Sequence, residues 1–174
     1  MKEIDRWNVY WDEYTVETYL YGSEIYFHKK TDIEFRNELM PPGTVIKTWV
    51  SKTNYQANRY EPSLPMIDGE ADYVIKTLID CDRENGWLLK ITYYDKFNNE
   101  AGVDIIRDPI APFKCPLRTY HYKIQLMNAG AKVIHFHALQ IAEVSYEDEE
   151  QDKKIKKNTR QSKKIKRRNS RTKR

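Results

Sequence analysis

The chain has 174 residues, with 30 Lys+Arg against 26 Asp+Glu and a formal net charge of +4. That sum averages two unlike parts: five acids and no base lie between Glu147 and Asp152, and thirteen bases and no acid between Lys153 and Arg174. Residues 1–146 are left with 17 bases and 21 acids, a net charge of −4, and with all 13 Tyr, 4 Trp and 5 Phe. The split predicts one domain, 1–146, aromatic enough for a sizeable core, followed by a charged extension, 147–174, that cannot bury a core and is expected to be disordered. No apolar run approaches the roughly 18–20 residues of a membrane span. No signal-peptide-like apolar segment follows Met1, so the expected location is the cytoplasm. Cys81 and Cys115 are too far apart in sequence to suggest a zinc site or a disulfide framework, and both are expected as buried free thiols.

In chain order, short β-branched and aromatic runs predict strands at Arg6–Trp11, Thr18–Tyr21, Ile25–His28, Val45–Ser51, Tyr73–Ile79, Trp87–Tyr94, Gly102–Ile106, Thr119–Leu126 and Lys132–Val144. The Thr119–Leu126 run alternates cleanly, with Tyr120, Tyr122, Ile124 and Leu126 on one face. Turn residues separate the runs: Gly22-Ser23, Pro41-Pro42-Gly43, Asp68-Gly69, Glu84-Asn-Gly86, Asn98-Asn99 and Asn128-Ala-Gly130. A helical turn is expected only at Glu34–Met40. Thr53–Pro65 reads as a long ordered loop, and the three prolines of Asp108–Pro116 imply extended backbone. Without repeats or βαβ alternation, this pattern predicts an all-β fold, an antiparallel sandwich or barrel.

Several constellations suggest chemistry. His135-Phe-His137 would place two imidazoles on one strand face, together with Val133, Leu139 and Ile141. The spacing suits a metal, but no third ligand is named, so the expectation is a half-buried sheet and no metal. Ser51 and Ser63 have no sequence link to a base, there is no Gly-x-Ser-x-Gly elbow, and Asp80, Asp82 and Glu84 read as solvated acids before a turn. An enzyme is not expected, and no cofactor is implied. Trp49, Asn54, Tyr55, Gln56, Arg59 and Tyr60 could stack on and hydrogen-bond a sugar or a partner protein. The plainer alternative puts Trp49 in the core and packs Tyr55 onto its own loop. The basic extension could bind anionic lipid or nucleic acid, or simply be solvated.

An ordered series of short matches goes further. Tyr19-Leu-Tyr-Gly-Ser23, Leu39-Met-Pro-Pro-Gly-Thr-Val-Ile-Lys-Thr-Trp49, Ser51, Tyr55-Gln56, Arg59, Pro62-Ser-Leu-Pro65, Tyr120–Leu126, Ala129-Gly130 and the strand through Ile141 resemble the third family of accessory secretory proteins, over roughly residues 7–144. The resemblance implies a non-catalytic, jelly-roll-like β-sandwich similar to carbohydrate-binding modules. It implies a role in the accessory Sec system of Gram-positive bacteria, which exports glycosylated serine-rich adhesins. The implied partners are a glycosyltransferase-like and a hydrolase-like accessory secretory protein, the accessory motor ATPase and the adhesin, with N-acetylglucosamine as a possible recognition element. Trp49, Asn54, Tyr55, Gln56 and Arg59 are the expected sugar or partner contact. The tail lies outside the resemblance and is a candidate tether to anionic lipid at the inner face of the membrane. Two alternatives stay open: a free-standing cytoplasmic lectin-like module, and a nucleic-acid or ribosome-associated protein acting through the tail.

Overall fold

The structure, a computed structural model, describes residues 1–13 and 16–145. The extension 147–174, with the disorder and tether expected of it, lies outside the described residues. Ten strands form the body: β1 (Lys2–Val9), β2 (Glu24–Lys29), β3 (Asp32–Arg36), β4 (Val45–Val50), β5 (Asp72–Cys81), β6 (Trp87–Tyr94), β7 (Glu100–Ile106), β8 (Ile110–Phe113), β9 (His121–Asn128) and β10 (Val133–Ser145). One helical turn, α1 (Tyr55–Asn58), interrupts the loop after β4.

The strands form two antiparallel sheets. Sheet A runs β2-β3-β10-β5-β8, and β1 also pairs with β10. Sheet B runs β4-β9-β6-β7. Only β2–β3 and β6–β7 are hairpins within one sheet among consecutive strands after β2; the other connections pass from sheet to sheet. This is a sandwich, one of the two architectures the strand pattern allowed and the one the family resemblance implied, and it follows from strands that each carry one apolar face with nowhere to bury it except the opposite sheet. β10 is the organising strand. β5 lies along one side, and the other side is shared by β3 near its start and β1 near its end.

The inner faces mesh through aromatic side chains. Trp49 of sheet B stacks on Phe136 of sheet A (5.2 Å between ring centroids, 25° between planes), and Trp11 meets Trp49 edge-on at 6.3 Å while also touching Phe35 and Phe136. At the other end Tyr73 stacks on Phe113 at 5.5 Å. The phenols that enter the core bring partners with them: Tyr93 Oη donates to Asp104 Oδ2 at 2.7 Å, and Tyr122 Oη donates to the Pro65 carbonyl at 2.8 Å. Burial raises the pKa of both phenols, so they remain neutral donors.

Several expectations need correction. Glu34–Met40 is not a helical turn: its first residues belong to β3, which buries Ile33 and Phe35 between β2 and β10, so strand pairing overrides local helical preference. Thr18–Tyr21 is not a strand; Thr18 makes one bridge to Lys47. Asp108–Pro116 is extended as read, but it also supplies β8. Its Pro112 is tolerated because β8 is the edge of sheet A. Tyr120 is exposed, just before β9 starts, while Tyr122, Ile124 and Leu126 face inward. Cys115 is buried, whereas Cys81 is only half-buried, its thiol donating to the Arg83 carbonyl.

A candidate binding groove on the edge of sheet B

Strand β4 is an edge strand, and two loop segments cover parts of its free edge. On one side the Tyr19 amide donates to the Ile46 carbonyl (2.8 Å), and the Thr48 amide donates to the Glu17 carbonyl (2.9 Å). On the other, the amides of Ser63 and Leu64 both donate to the Val50 carbonyl (3.0 and 3.1 Å). Between the two covers a groove of about 670 Å³ opens over Thr48, Trp49 and Val50. That is within the size range of small-ligand sites.

Its charged walls come from three separate stretches of chain: Asp12 and Glu17, Lys47, and Arg59 with Glu61. Lys47 is 4% exposed, and its ammonium donates to the Val16 carbonyl at 2.7 Å. Burial holds the Lys47 pKa below the usual lysine value, and the negative charges of Asp12 and Glu17 pull it partly back. Arg59 follows α1 with φ of 60°, the left-handed conformation that commonly ends a helical turn, and it is exposed. Tyr60 sits beside it, its phenol pKa raised by burial and then by the Glu17 charge. Three carboxylates and two cations offer acceptors and donors with little net charge. Such a lining suits a neutral, hydroxyl- or amide-bearing ligand better than a polyanion.

The residues expected to form the contact surface separate here. Trp49 must be corrected: it is 1% exposed, its ring lies between the sheets, and its Nε1 donates to the Tyr10 carbonyl at 2.9 Å. Inward parity on β4 puts it in the core, so its ring cannot stack on a ligand. Asn54 caps α1, its Oδ1 accepting from the Ala57 amide at 3.4 Å, and like Gln56 it faces solvent beside the groove rather than lining it. Tyr55 opens α1. Arg59 alone of the expected set is an exposed groove residue. Lys47 was missed, although it shares parity with Trp49 in the Val45–Ser51 alternation, which is the signal that could have found it.

The two histidines of β10 share one face as expected, but Leu139 and Ile141 do not lie on it with them. A bulge between Phe136 and Ala138 inserts His137 as an unpaired residue, which reverses the parity of the strand. Leu139 and Ile141 therefore face the core, while His135 and His137 lie on the outer side. His137 bonds the Thr31 carbonyl (2.7 Å) and Asp80 (3.2 Å), and His135 lies 3.9 Å from Asp32. Among the described residues no group of three or more His, Cys, Asp or Glu could hold a metal ion, and no helix is long and apolar enough to cross a membrane.

Fold and groove together place the chain among β-sandwich domains with a ligand-sized groove beside an edge strand. Residues 18–143 match the accessory Sec secretory system ASP3 family, and the chain belongs to that family. It is 35% identical over 127 residues to the accessory Sec system protein ASP3 of Streptococcus gordonii, covering 73% of this chain and 80% of that protein. The crystal structure of accessory secretory proteins 1, 2 and 3 in Streptococcus pneumoniae contains a chain that superposes with a TM-score of 0.76 at 30% identity, over 79% of this chain and 96% of that one. The Glycosylation Associate Protein complex from Streptococcus agalactiae gives a TM-score of 0.75 at 31% identity, over 82% of this chain and 46% of that one.

Proposed function

We propose that the protein is a non-catalytic binding subunit of an accessory Sec complex. It acts on the cytoplasmic side of the membrane to support export of glycosylated serine-rich adhesins. The observation that carries this reading is that the two solved relatives, each near 30% identity, come from structures of accessory secretory or glycosylation-associated protein assemblies. In this reading the chain assembles with the two other accessory secretory proteins, one glycosyltransferase-like and one hydrolase-like. The assembly presents adhesin to the motor ATPase and raises its local concentration there.

The groove beside β4 is the contact site for an N-acetylglucosamine-bearing segment of the adhesin, with Arg59 at its wall and Asn54, Tyr55 and Gln56 on the loop beside it. Its mixed charge supports this use, because a sugar hydroxyl both donates and accepts. The basic extension is a tether to anionic lipid.

Purification of the tagged protein from its own host tests the assembly. Recovery of the glycosyltransferase-like partner supports the reading, and recovery of ribosomes in its place overturns it. Titration of the purified assembly with N-acetylglucosamine tests the groove: saturable binding that Arg59→Ala weakens is the expected result. Flotation with anionic vesicles tests the tether, which fails if full-length protein and protein lacking 147–174 float equally.

A further inference from the structure

The outer faces of the two sheets differ in character. Around β2, β3 and the start of β10, sheet A's outer face carries charge pairs of both signs. His28 and Arg36 both bond Glu34, His137 bonds Asp80, and His135 faces Asp32. Such a face is compatible with water.

Sheet B's outer face is not built that way. Its strand register sets the outward rows: Val50–Lys123–Thr92–Val103, Thr48–Gln125–Lys90–Ile105, Val45–Met127–Leu88, and His121–Tyr94–Glu100. Glu100, at the end of the last row, is the one acid among these residues, although the domain as a whole is net negative. Six of them are aliphatic: Val45, Val50, Leu88, Val103, Ile105 and Met127. Ile105 is 51% exposed and Val103 38%. Lys90 and Lys123 stand among them, with Lys123 over the Tyr94 ring at 5.4 Å. A solvated antiparallel face ordinarily alternates to polar residues, so this one keeps apolar surface where water alone would not select it.

We propose that the open face of sheet B seats a folded partner subunit that presents an apolar patch rimmed by carboxylates. The inference rests on the assembly reading above, and it separates the surface that holds a partner protein from the groove that holds sugar. The apolar rows would supply the dry centre of the contact, and Lys90 and Lys123 would select for acidic groups opposite. A second copy of this chain fits less well, because each copy would bring two lysines and a single acid to a two-fold contact, leaving positive charge unmatched on both sides.

The test uses the full-length chain, tagged and co-expressed with the two other accessory secretory subunits of its host. Lys90→Glu combined with Lys123→Glu, and separately Ile105→Asp, should each weaken capture of a partner tenfold or more. The thermal midpoint of the isolated variants should stay near that of the parent, since all three side chains lie on the outer face. Lys76→Glu, exposed on sheet A, should capture partners like the parent. Parent-like capture by the sheet B variants overturns the proposal while leaving the assembly reading intact. Loss of capture with Lys76→Glu alone moves the interface to sheet A and overturns it too. A parent homodimer that Ile105→Asp splits would make a second copy the occupant, again against the proposal. If the parent captures no partner, the assembly reading itself fails and takes this proposal with it.

Discussion

Trp49 is where residue type and residue role diverge most. A Trp near Asn, Gln and Arg reads as a stacking platform, yet its indole packs on Phe136 and Trp11 and donates to the Tyr10 carbonyl. Trp49→Ala should therefore lower unfolding stability by about 3–5 kcal/mol. Trp49→Phe should lower it less, and should leave ligand affinity of the folded protein unchanged. Denaturant melts and a titration of the two variants separate the effects. Glu34 shows a second residue-scale effect. Its hydrogen bond from His28, then that from Arg36, holds its carboxyl below the ordinary 4.5. A carboxyl lowered in the folded state stabilises above its unfolded value, and that contribution is lost as pH falls through the lowered one. The thermal midpoint should fall as the pH drops below the ordinary 4.5, and Glu34→Gln should fall less steeply over the same descent.

At the scale of elements, the bulge in β10 and the loop after β4 decide what the strands present. Without His137 the strand would keep one parity throughout, and either Phe136 or Leu139 would have to leave the core. Deleting His137 should be strongly destabilising, while His137→Ala, which keeps the bulge residue, should cost far less; paired thermal melts distinguish these outcomes. In the loop, Arg59 holds a left-handed backbone that favours glycine. Arg59→Gly should therefore keep or slightly raise stability while weakening ligand binding in the groove, checked by melting and titration of one preparation. Much of this scale was legible in the sequence, because alternation located most of the strands. β3 was not, because Glu34, Leu39 and Met40 suit a helix locally and only pairing with β2 and β10 makes the segment a strand. The bulge was not legible either, since an unpaired residue is defined only by a partner strand.

For the whole molecule, the split of charge matters more than its sum. The family match ends at residue 143 and the last strand among the described residues at Ser145, both ahead of the acidic and basic runs. Removing 147–174 should leave the thermal midpoint of the body nearly unchanged, which a melt of the truncated chain checks. The +4 of the full chain thus describes no surface of the body. The body is −4 overall, yet the outward rows of sheet B hold Lys90 and Lys123 against a single acid, Glu100, while sheet A carries the paired acids Glu34 and Asp80.

The sequence by itself determined the all-β class, most strand positions and the family, because period-two alternation, composition and short ordered matches are local properties of a chain. Tertiary structure alone decided which side chains meet. It buried Trp49, drew Lys47 against a backbone carbonyl, gathered Asp12, Glu17, Arg59 and Glu61 around one groove, and turned the β10 histidines outward. Those outcomes depend on register and on which sheet opposes which, and residues far apart in sequence fix both.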